Sequence, residues 1–485
     1  MLFPANETNL QHHTFAQLID GELVPGAGTS EVIDPGTGEA IAIAPAADDD
    51  QVGVAVDAAQ TAFRTWRRTP LAERATALRR IADAVEEHAD EFARVLALET
   101  GKPLAMARDM ELDWAIRWVR HFAELDLTPE VLRTDEDYRV ERHHEPLGVV
   151  AAIVPWNFPL FQSLYKIAPA ILAGNTVVLK PAPTTPLHAL FLGELLREIL
   201  PAGVVNILGD GAPGSSVGPT LANHPAVRLV SFTGSTAAGR KVLSGASSTI
   251  KRVVLELGGN DAAIVLPDAD VETVAPQIFT WTFNYAGQLC VGIKRIFVPD
   301  AMYERFAEIF AELAVSRPLG HALDADADAA FGPLQNAAQF ERVKGYLAQA
   351  HADGKVIAGG TVDPRPGYFV PPTVVRDIGD DSVLVREETF GPVRSLLRYS
   401  DLDDAVARAN DTTYGLGNSV WATDTIAAAR VAERLESGTV WINTHVGAYP
   451  EVPFGGLKQS GVGTEFGIQG LHEFVENKVI YVPVA

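Results

Sequence analysis

Between residues 49 and 125 apolar side chains return at three- and four-residue spacing. Ala55, Ala58, Ala59, Ala62 and Phe63 do so, and so do Leu78, Ile81, Ala82 and Val85. That is the period of a helix with one buried stripe, and it predicts helices throughout this stretch. Thr69-Pro70 followed by Glu73 reads as a helix start with Pro70 at the first helical position. Tyr138 to His143 alternates instead, which predicts a strand with two unlike faces.

From Gly148 the pattern changes again. VVAAIV, TVVLKP, GVVNILG, LVSFTG and VVLELGG are short apolar runs, mostly separated by helical segments. Runs without polar alternation suit strands buried on both faces, so a parallel sheet covered by helices is expected. The alternation restarts after Asp261 with AAIVL, RIFVP, KVIAGG, VRSLLRY, GNSVWA and TVWIN. Helical stretches such as 301–315 and 424–436 lie between them. The fold class expected is therefore α/β, with two doubly wound lobes and a cleft between them. The C-terminal FVENKVIYVPV is β-rich and is expected to pair with the 138–146 strand or with another subunit. No fixed-period repeat is present.

Composition narrows the function classes. A chain of 485 residues is long enough for two or three domains with a sizeable core. No apolar run reaches the ~18 residues of a membrane helix. The opening MLFPANETNLQHH lacks a basic segment followed by an apolar one, so a cytoplasmic protein without a membrane partner is expected. A net charge of −23 would repel phosphates and disfavours nucleic acid as a partner. The chain has one cysteine, Cys290, which excludes an intrachain disulfide and a cysteine-rich metal site. No metal site is expected.

Several segments carry residues suited to chemistry. Cys290 follows Gly287-Gln288-Leu289, where a helical pattern breaks, so the thiol is expected on a loop. It reads equally as a small buried hydrophobe. Glu256 ends an apolar strand ahead of Gly258-Gly259, a place for a general base or for a solvated edge carboxylate. Pro155-Trp156-Asn157-Phe158-Pro159 follows a buried strand, and in open α/β sheets the carboxyl ends of strands line the ligand crevice. Asn157 can donate to a developing oxyanion there, or simply make a turn. Phe232-Thr233-Gly234-Ser235 opens a helix and can admit a pyrophosphate, although it is neither a G-x-G-x-x-G nor a P-loop pattern. Lys180 ends a strand, and Glu388 lies in a loop before one. Each is also a common surface residue.

Taken in order, PWNFP, LKPAP, SFTGS, LELGGNDA, GQLC, EETFGPV and PFGGLKQSG resemble the aldehyde dehydrogenase superfamily from about Ile33 to about Val482. The resemblance implies oxidation of an aldehyde to an acid with NAD or NADP. It implies Cys290 as nucleophile and Glu256 as base. Asn157 and the Cys290 amide would form the oxyanion hole, and Glu465 would be a second carboxylate near a proton exit. Lys180 would contact the adenosine ribose and Ser235 would lie near the pyrophosphate. Glu388 and Phe390 would hold the nicotinamide ribose and ring. Ile153, Pro155, Trp156, Phe232, Gly234 and Pro183 fall to the cofactor site with them. Pro183 stands where many NAD-preferring members carry a Glu, so selectivity is left open and the loss moves it toward NADP. The substrate wall by alignment is Trp156, Gln162, Tyr165, Leu289, Val291, His445 and Phe454, which suits a medium-sized or aromatic aldehyde. The implied domains are 1–125 with 147–257 for the dinucleotide, 258–458 for catalysis, and 126–146 with 459–485 for bridging in a homodimer or homotetramer. Two other functions compete: a CoA-acylating semialdehyde dehydrogenase, and a catalytically silent nucleotide-binding protein. The presence of Glu256 argues against the first, and the intact Cys290, Glu256 and Asn157 argue against the second.

Overall fold

The computed structural model describes residues 10, 12–211, 215–324 and 331–484. Four helices fill the periodic N-terminal stretch: Asp49–Trp66, Leu71–Glu87, Ala89–Thr100 and Asp113–Phe122. Pro70 lies just before the second helix in an extended conformation, one position earlier than its sequence context predicts. Between the last two helices, Met106–Leu112 is π-helical. Such wide turns usually mark functional positions.

The apolar runs after Gly148 form one sheet. Its parallel centre runs, across the sheet, Arg252–Glu256, Val227–Thr233, Val149–Ile153, Thr176–Lys180 and Val205–Ile207. Antiparallel strands flank it: Gly461–Val462 on one side, and Gln17–Ile19 with Glu22–Val24 on the other. Both faces are covered. Val150 and Ala152 enter one apolar core, while Val149, Ala151 and Ile153 enter another. This double burial is why the strand sequences show no polar alternation. The chain steps outward from Val149–Ile153 to Val205–Ile207, then returns to the opposite side of Val149–Ile153. That reversal opens a crevice beyond Ile153 and Thr233, where open α/β sheets take their ligands.

The second sheet contains all six expected strands. Its order is Lys355–Ala358, Thr373–Arg376, Val393–Tyr399, Ile293–Pro299, Asp261–Val265, Gly417–Trp421 and Thr439–Ile442. Only Lys355–Ala358 runs antiparallel to its neighbour. Ala262 and Ile264 pack to one side and Ala263 and Val265 to the other. Among the described residues no helix is long and apolar enough to cross a membrane.

A third sheet joins Glu130–Thr134, Tyr138–Pro146 and Val475–Pro483. Tyr138–Pro146 is its central strand, paired with Val475–Pro483 from Val475↔Pro146 to Pro483↔Tyr138 in the same chain. It therefore offers no free edge. The free edges belong to Glu130–Thr134 and to Val475–Pro483, whose Val479, Ile480, Tyr481 and Val482 are exposed. The expected 459–485 bridging segment is divided: Gly461–Val462 edges the first sheet, and only the last strand enters the third.

Candidate active site

Cys290 stands on the loop between the helix Val271–Phe283 and the strand Ile293–Pro299. Tyr285, Ala286 and Gly287 all have positive φ, at 51°, 51° and 72°. For Tyr and Ala this conformation is strained and must be held by its surroundings. The restraints are explicit. The Tyr285 hydroxyl donates to the Thr100 carbonyl at 3.0 Å. Arg394, fully buried, donates to the Gly287 carbonyl at 2.9 Å and to that of Thr282 at 3.3 Å. Gln288 donates to the Tyr285 carbonyl, and its own side-chain oxygen accepts from the Gln335 N–H at 2.9 Å. Lys294 donates to the Cys290 carbonyl and lies 3.7 Å from Glu388.

Glu256 ends the strand Arg252–Glu256 and is buried, with Oε1 lacking any hydrogen-bond partner among the described residues. Burial pushes its carboxyl up to about 8, helped by the charge of Glu465; the neighbouring Cys290 thiol and Lys166 act in the opposite direction. The Cys290 thiol is itself pushed well above its ordinary value by burial and then by the Glu256 charge, with Lys294 opposing. Burial thus favours the thiol over a standing thiolate at Cys290. The site holds a thiol beside a base whose affinity for a proton is matched to neutral pH. The two glycines after Glu256 have a steric role. A Cβ on Gly259 would lie 2.5 Å from the Cys290 carbonyl oxygen, and one on Gly258 would strike the Glu388 carboxylate. The bare backbone lets Glu388 accept from the Gly259 N–H at 3.1 Å.

Asn157 is buried, and its Nδ2 donates to the Gln288 carbonyl at 3.1 Å. An amide NH2 has two hydrogens, and the second has no protein partner among the described residues. The loop beneath is clamped by a buried ion pair. Lys102 donates to Glu111 and, at 2.7 Å, to the Asn157 carbonyl. Glu111 in turn accepts from the Leu160 N–H at 2.8 Å. The π-helical turn supplies Glu111. On the next helix, Pro159–Ala173, the buried Lys166 donates to Glu465 at 2.6 Å and to Ser231 at 3.1 Å. Lys102, Glu111 and Lys166 escape a reading of sequence because charged residues in a loop or on a helix ordinarily signal a solvated position.

Two cavities meet at this point. One, of about 820 Å³, is apolar and is lined by Trp114, Phe161, Tyr165, Trp441, Phe454 and Phe466 among others. The other, of about 920 Å³, opens at the crevice of the first sheet and is lined by Pro155, Trp156, Gly234, Ser235, Glu388 and Phe390. Asn157, Gln162, Glu256 and Cys290 line both. Glu465 lines the apolar cavity, as do Gln162, Tyr165, Leu289, Val291 and Phe454 of the expected substrate wall. Two wall residues are elsewhere. Trp156 faces the second cavity with its ring edge-on to Phe390 at 5.3 Å. His445 is fully buried behind the wall and its Nε2 bonds the Val291 carbonyl at 2.6 Å. Of the expected cofactor residues, Ile153 and Phe232 are buried in the sheet core, and neither they nor Lys180 and Pro183 line the cavity. Arg342 and Gln339, from the helix Ala337–Asp353, line it unforeseen.

The description "Aldehyde dehydrogenase family" fits residues 24–480. The chain belongs to the aldehyde dehydrogenase family. This aldehyde dehydrogenase is similar to human retinaldehyde dehydrogenase 3, with 38% identity over 456 residues that span 92% of this chain and 88% of that one. An aldehyde dehydrogenase from Bacillus cereus, solved as an NAD+ complex, superposes with a TM-score of 0.95 at 36% identity, covering 100% of this chain and 99% of that one. Betaine aldehyde dehydrogenase from Staphylococcus aureus, solved with NAD+, gives 0.93 at 34% identity over 97% and 95% of the two chains. The present aldehyde dehydrogenase is accordingly an NAD(P)-dependent enzyme that oxidises an aldehyde to a carboxylic acid.

The raised Glu256 carboxyl sets a pH dependence. Below about pH 8 it keeps its proton and cannot take one from Cys290; above that it can. Labelling of the single thiol of the apo enzyme by iodoacetamide, followed by intact mass, should therefore rise as pH passes through about 8. In Glu256→Gln that limb should vanish, leaving only the thiol's own ionisation at higher pH. An identical profile in both proteins would show that Glu256 does not govern the thiol.

Proposed function

We propose that this enzyme works through covalent chemistry on Cys290, with Glu256 as its base. The observation that carries this reading is the position of the sole cysteine beside a buried carboxyl where an apolar cavity and a cleft at the sheet's crevice meet. Glu256 takes the thiol proton as sulfur attacks the aldehyde carbon, and the carbonyl π electrons move onto oxygen. The free hydrogen of the Asn157 amide and the Cys290 backbone N–H stabilise that oxyanion, each donor contributing roughly 3 kcal/mol. Bound NAD(P)+ supplies the acceptor for the hydride that leaves the thiohemiacetal carbon. Glu256 gives the thiol's proton up to solvent and, ionised again, takes a proton from water, whose oxygen attacks the thioester carbon; the C–S bond breaks, the acid leaves, and Glu256 returns its proton to the sulfur. Splitting the reaction at a thioester replaces one hard step by two easier ones. Lys166 holds Glu465 on the wall of the cavity, a position from which that carboxylate can pass the proton on.

The second cavity fits a dinucleotide. It is bounded by the N-terminus of the helix Thr236–Ala246, whose cap is Ser235, and by the Glu388 carboxylate. Helix N-termini favour phosphate, and a carboxylate accepts from ribose hydroxyls. Ser235, Gly234, Glu388, Phe390, Pro155 and Trp156 are the residues that would hold it. Among the described residues the substrate cavity is walled mainly by aromatic and aliphatic side chains and by no cation, so uncharged aromatic or medium-length aliphatic aldehydes suit it.

Cys290→Ala should lower kcat by roughly four orders of magnitude or more while NAD+ binding persists. Glu256→Gln should lower steady-state turnover on the order of 100-fold. It should show an initial burst of reduced cofactor wherever acylation stays faster than deacylation. Turnover near the wild-type rate in Cys290→Ala would end the thioester account.

The third sheet is proposed as the subunit contact of a homodimer or homotetramer. The outer edge of Val475–Pro483 carries unpaired backbone groups and exposed Val479, Tyr481 and Val482, a template for another strand. Removing residues 476–485 should convert the oligomer to monomers or aggregates in analytical sedimentation. Unchanged assembly of a folded deletion variant would remove this edge as the interface.

A further inference from the structure

Lys180 and Asp210 form a buried ion pair at the carboxyl edge of the first sheet. Lys180 Nζ donates to Asp210 Oδ2 at 2.6 Å and to the Pro181 carbonyl at 3.0 Å. Both side chains are 8% exposed. Ser215 donates to the other carboxylate oxygen. Asp210 is held in place from behind: the Ala47 N–H donates to the carbonyl of the preceding Gly209 at 3.1 Å, and Ser30 donates to that of Asp210 at 3.4 Å.

Their place in the sheet relates them to the dinucleotide cleft. Lys180 pairs in register with Ile153, the last residue of the strand beside the crevice. Asp210 follows Val205–Ile207, which pairs with Thr176–Lys180. Neighbouring strands are about 4.8 Å apart, so Asp210 stands about 10 Å along the edge from the crevice. A dinucleotide held with one ring near Cys290 and its pyrophosphate near Ser235 would extend further than that. The proposal rests on this reading of the cleft.

We propose that Asp210 sets cofactor choice and makes the enzyme prefer NAD+ to NADP+. A carboxylate only accepts hydrogen bonds, and a ribose diol offers two donors. A 2′-phosphate carries about −2 charge. Among the described residues Lys180 is the one cation paired with Asp210, and the carboxylate already neutralises it. The phosphate would thus meet an anion without a free counter-charge, in a desolvated place where charges interact several-fold more strongly than in water. Asp210, in the loop that follows Val205–Ile207, supplies the carboxylate acceptor at this edge of the sheet.

The test is binding without aldehyde. Dissociation constants for NAD+ and NADP+ are measured by quenching of tryptophan fluorescence in the wild type, Asp210→Ser and Asp210→Asn, with 5′-AMP and 2′,5′-ADP as half-molecule probes. The wild type should bind NAD+ at least 30-fold more tightly than NADP+. Asp210→Ser should cut that ratio at least tenfold, mainly by tighter NADP+ binding, and 2′,5′-ADP should gain relative to 5′-AMP. If Asp210→Ser does not fold, Asp210→Asn keeps the shape without the charge and should shift the ratio in the same direction. Equal wild-type affinities, or a preference unchanged in a folded variant, overturn the assignment to Asp210. A wild type that binds neither dinucleotide nor half-molecule overturns the cleft reading itself, and the proposal with it.

Discussion

Everything about this site depends on the burial of one carboxyl group. Glu256 is carried by an outermost parallel strand of the first sheet to the point where two cavities join, and among the described residues no protein donor satisfies its Oε1. A carboxylate buried with one oxygen unpartnered is costly, so the group holds its proton to about pH 8 even with the Cys290 thiol beside it. The same desolvation raises the thiol of Cys290. The two groups are thereby made partners: neither ionises easily alone, and a proton passed between them is the cheapest route to a nucleophile. A solvent-exposed Glu would be a far weaker base at neutral pH, and an isolated buried cysteine would be inert.

The surrounding structure keeps this arrangement from relaxing. The left-handed backbone at Tyr285 and Ala286 is held locally by Gln288, which donates to the Tyr285 carbonyl, and is braced from distant segments by Thr100, by Gln335 through Gln288, and by Arg394 through Gly287 and Thr282. The Lys102–Glu111 pair does the same for the loop that carries Asn157. Breaking one partner of such a buried pair leaves an uncompensated charge and costs about 3–5 kcal/mol. Strain and buried charge are thus concentrated where geometry matters for chemistry.

The sequence made the architecture readable because its strands are buried on both faces. Runs such as Val149 to Val154 and Asp261 to Leu266 stand out as apolar blocks, and the helical period from residue 49 onward is equally plain. Cys290, Glu256 and Asn157 were legible through their positions at breaks in those patterns and through their motifs. What was hidden depends on long-range packing. Lys102, Glu111, Lys166 and Asp210 sit in helical or loop contexts where charge ordinarily means solvent, and only the tertiary fold turns them inward. His445 and Trp156 have the right composition for a substrate wall, but rotamer and loop direction place them behind it or across from it. The Gly461–Val462 strand is too short to give a period, so its union with the first sheet could not be read from local pattern.

The covalent role of Cys290 is the central claim, and the mass of the protein during a single turnover tests it most directly. Enzyme in excess over aldehyde, with NAD+, is quenched in acid at successive times, and the intact mass is followed in the wild type and in Glu256→Gln. The account predicts a transient adduct on Cys290 equal to the aldehyde less two hydrogens, short-lived in the wild type and accumulating in the variant. Carboxylic acid formed while Cys290 is never acylated in either protein would contradict it.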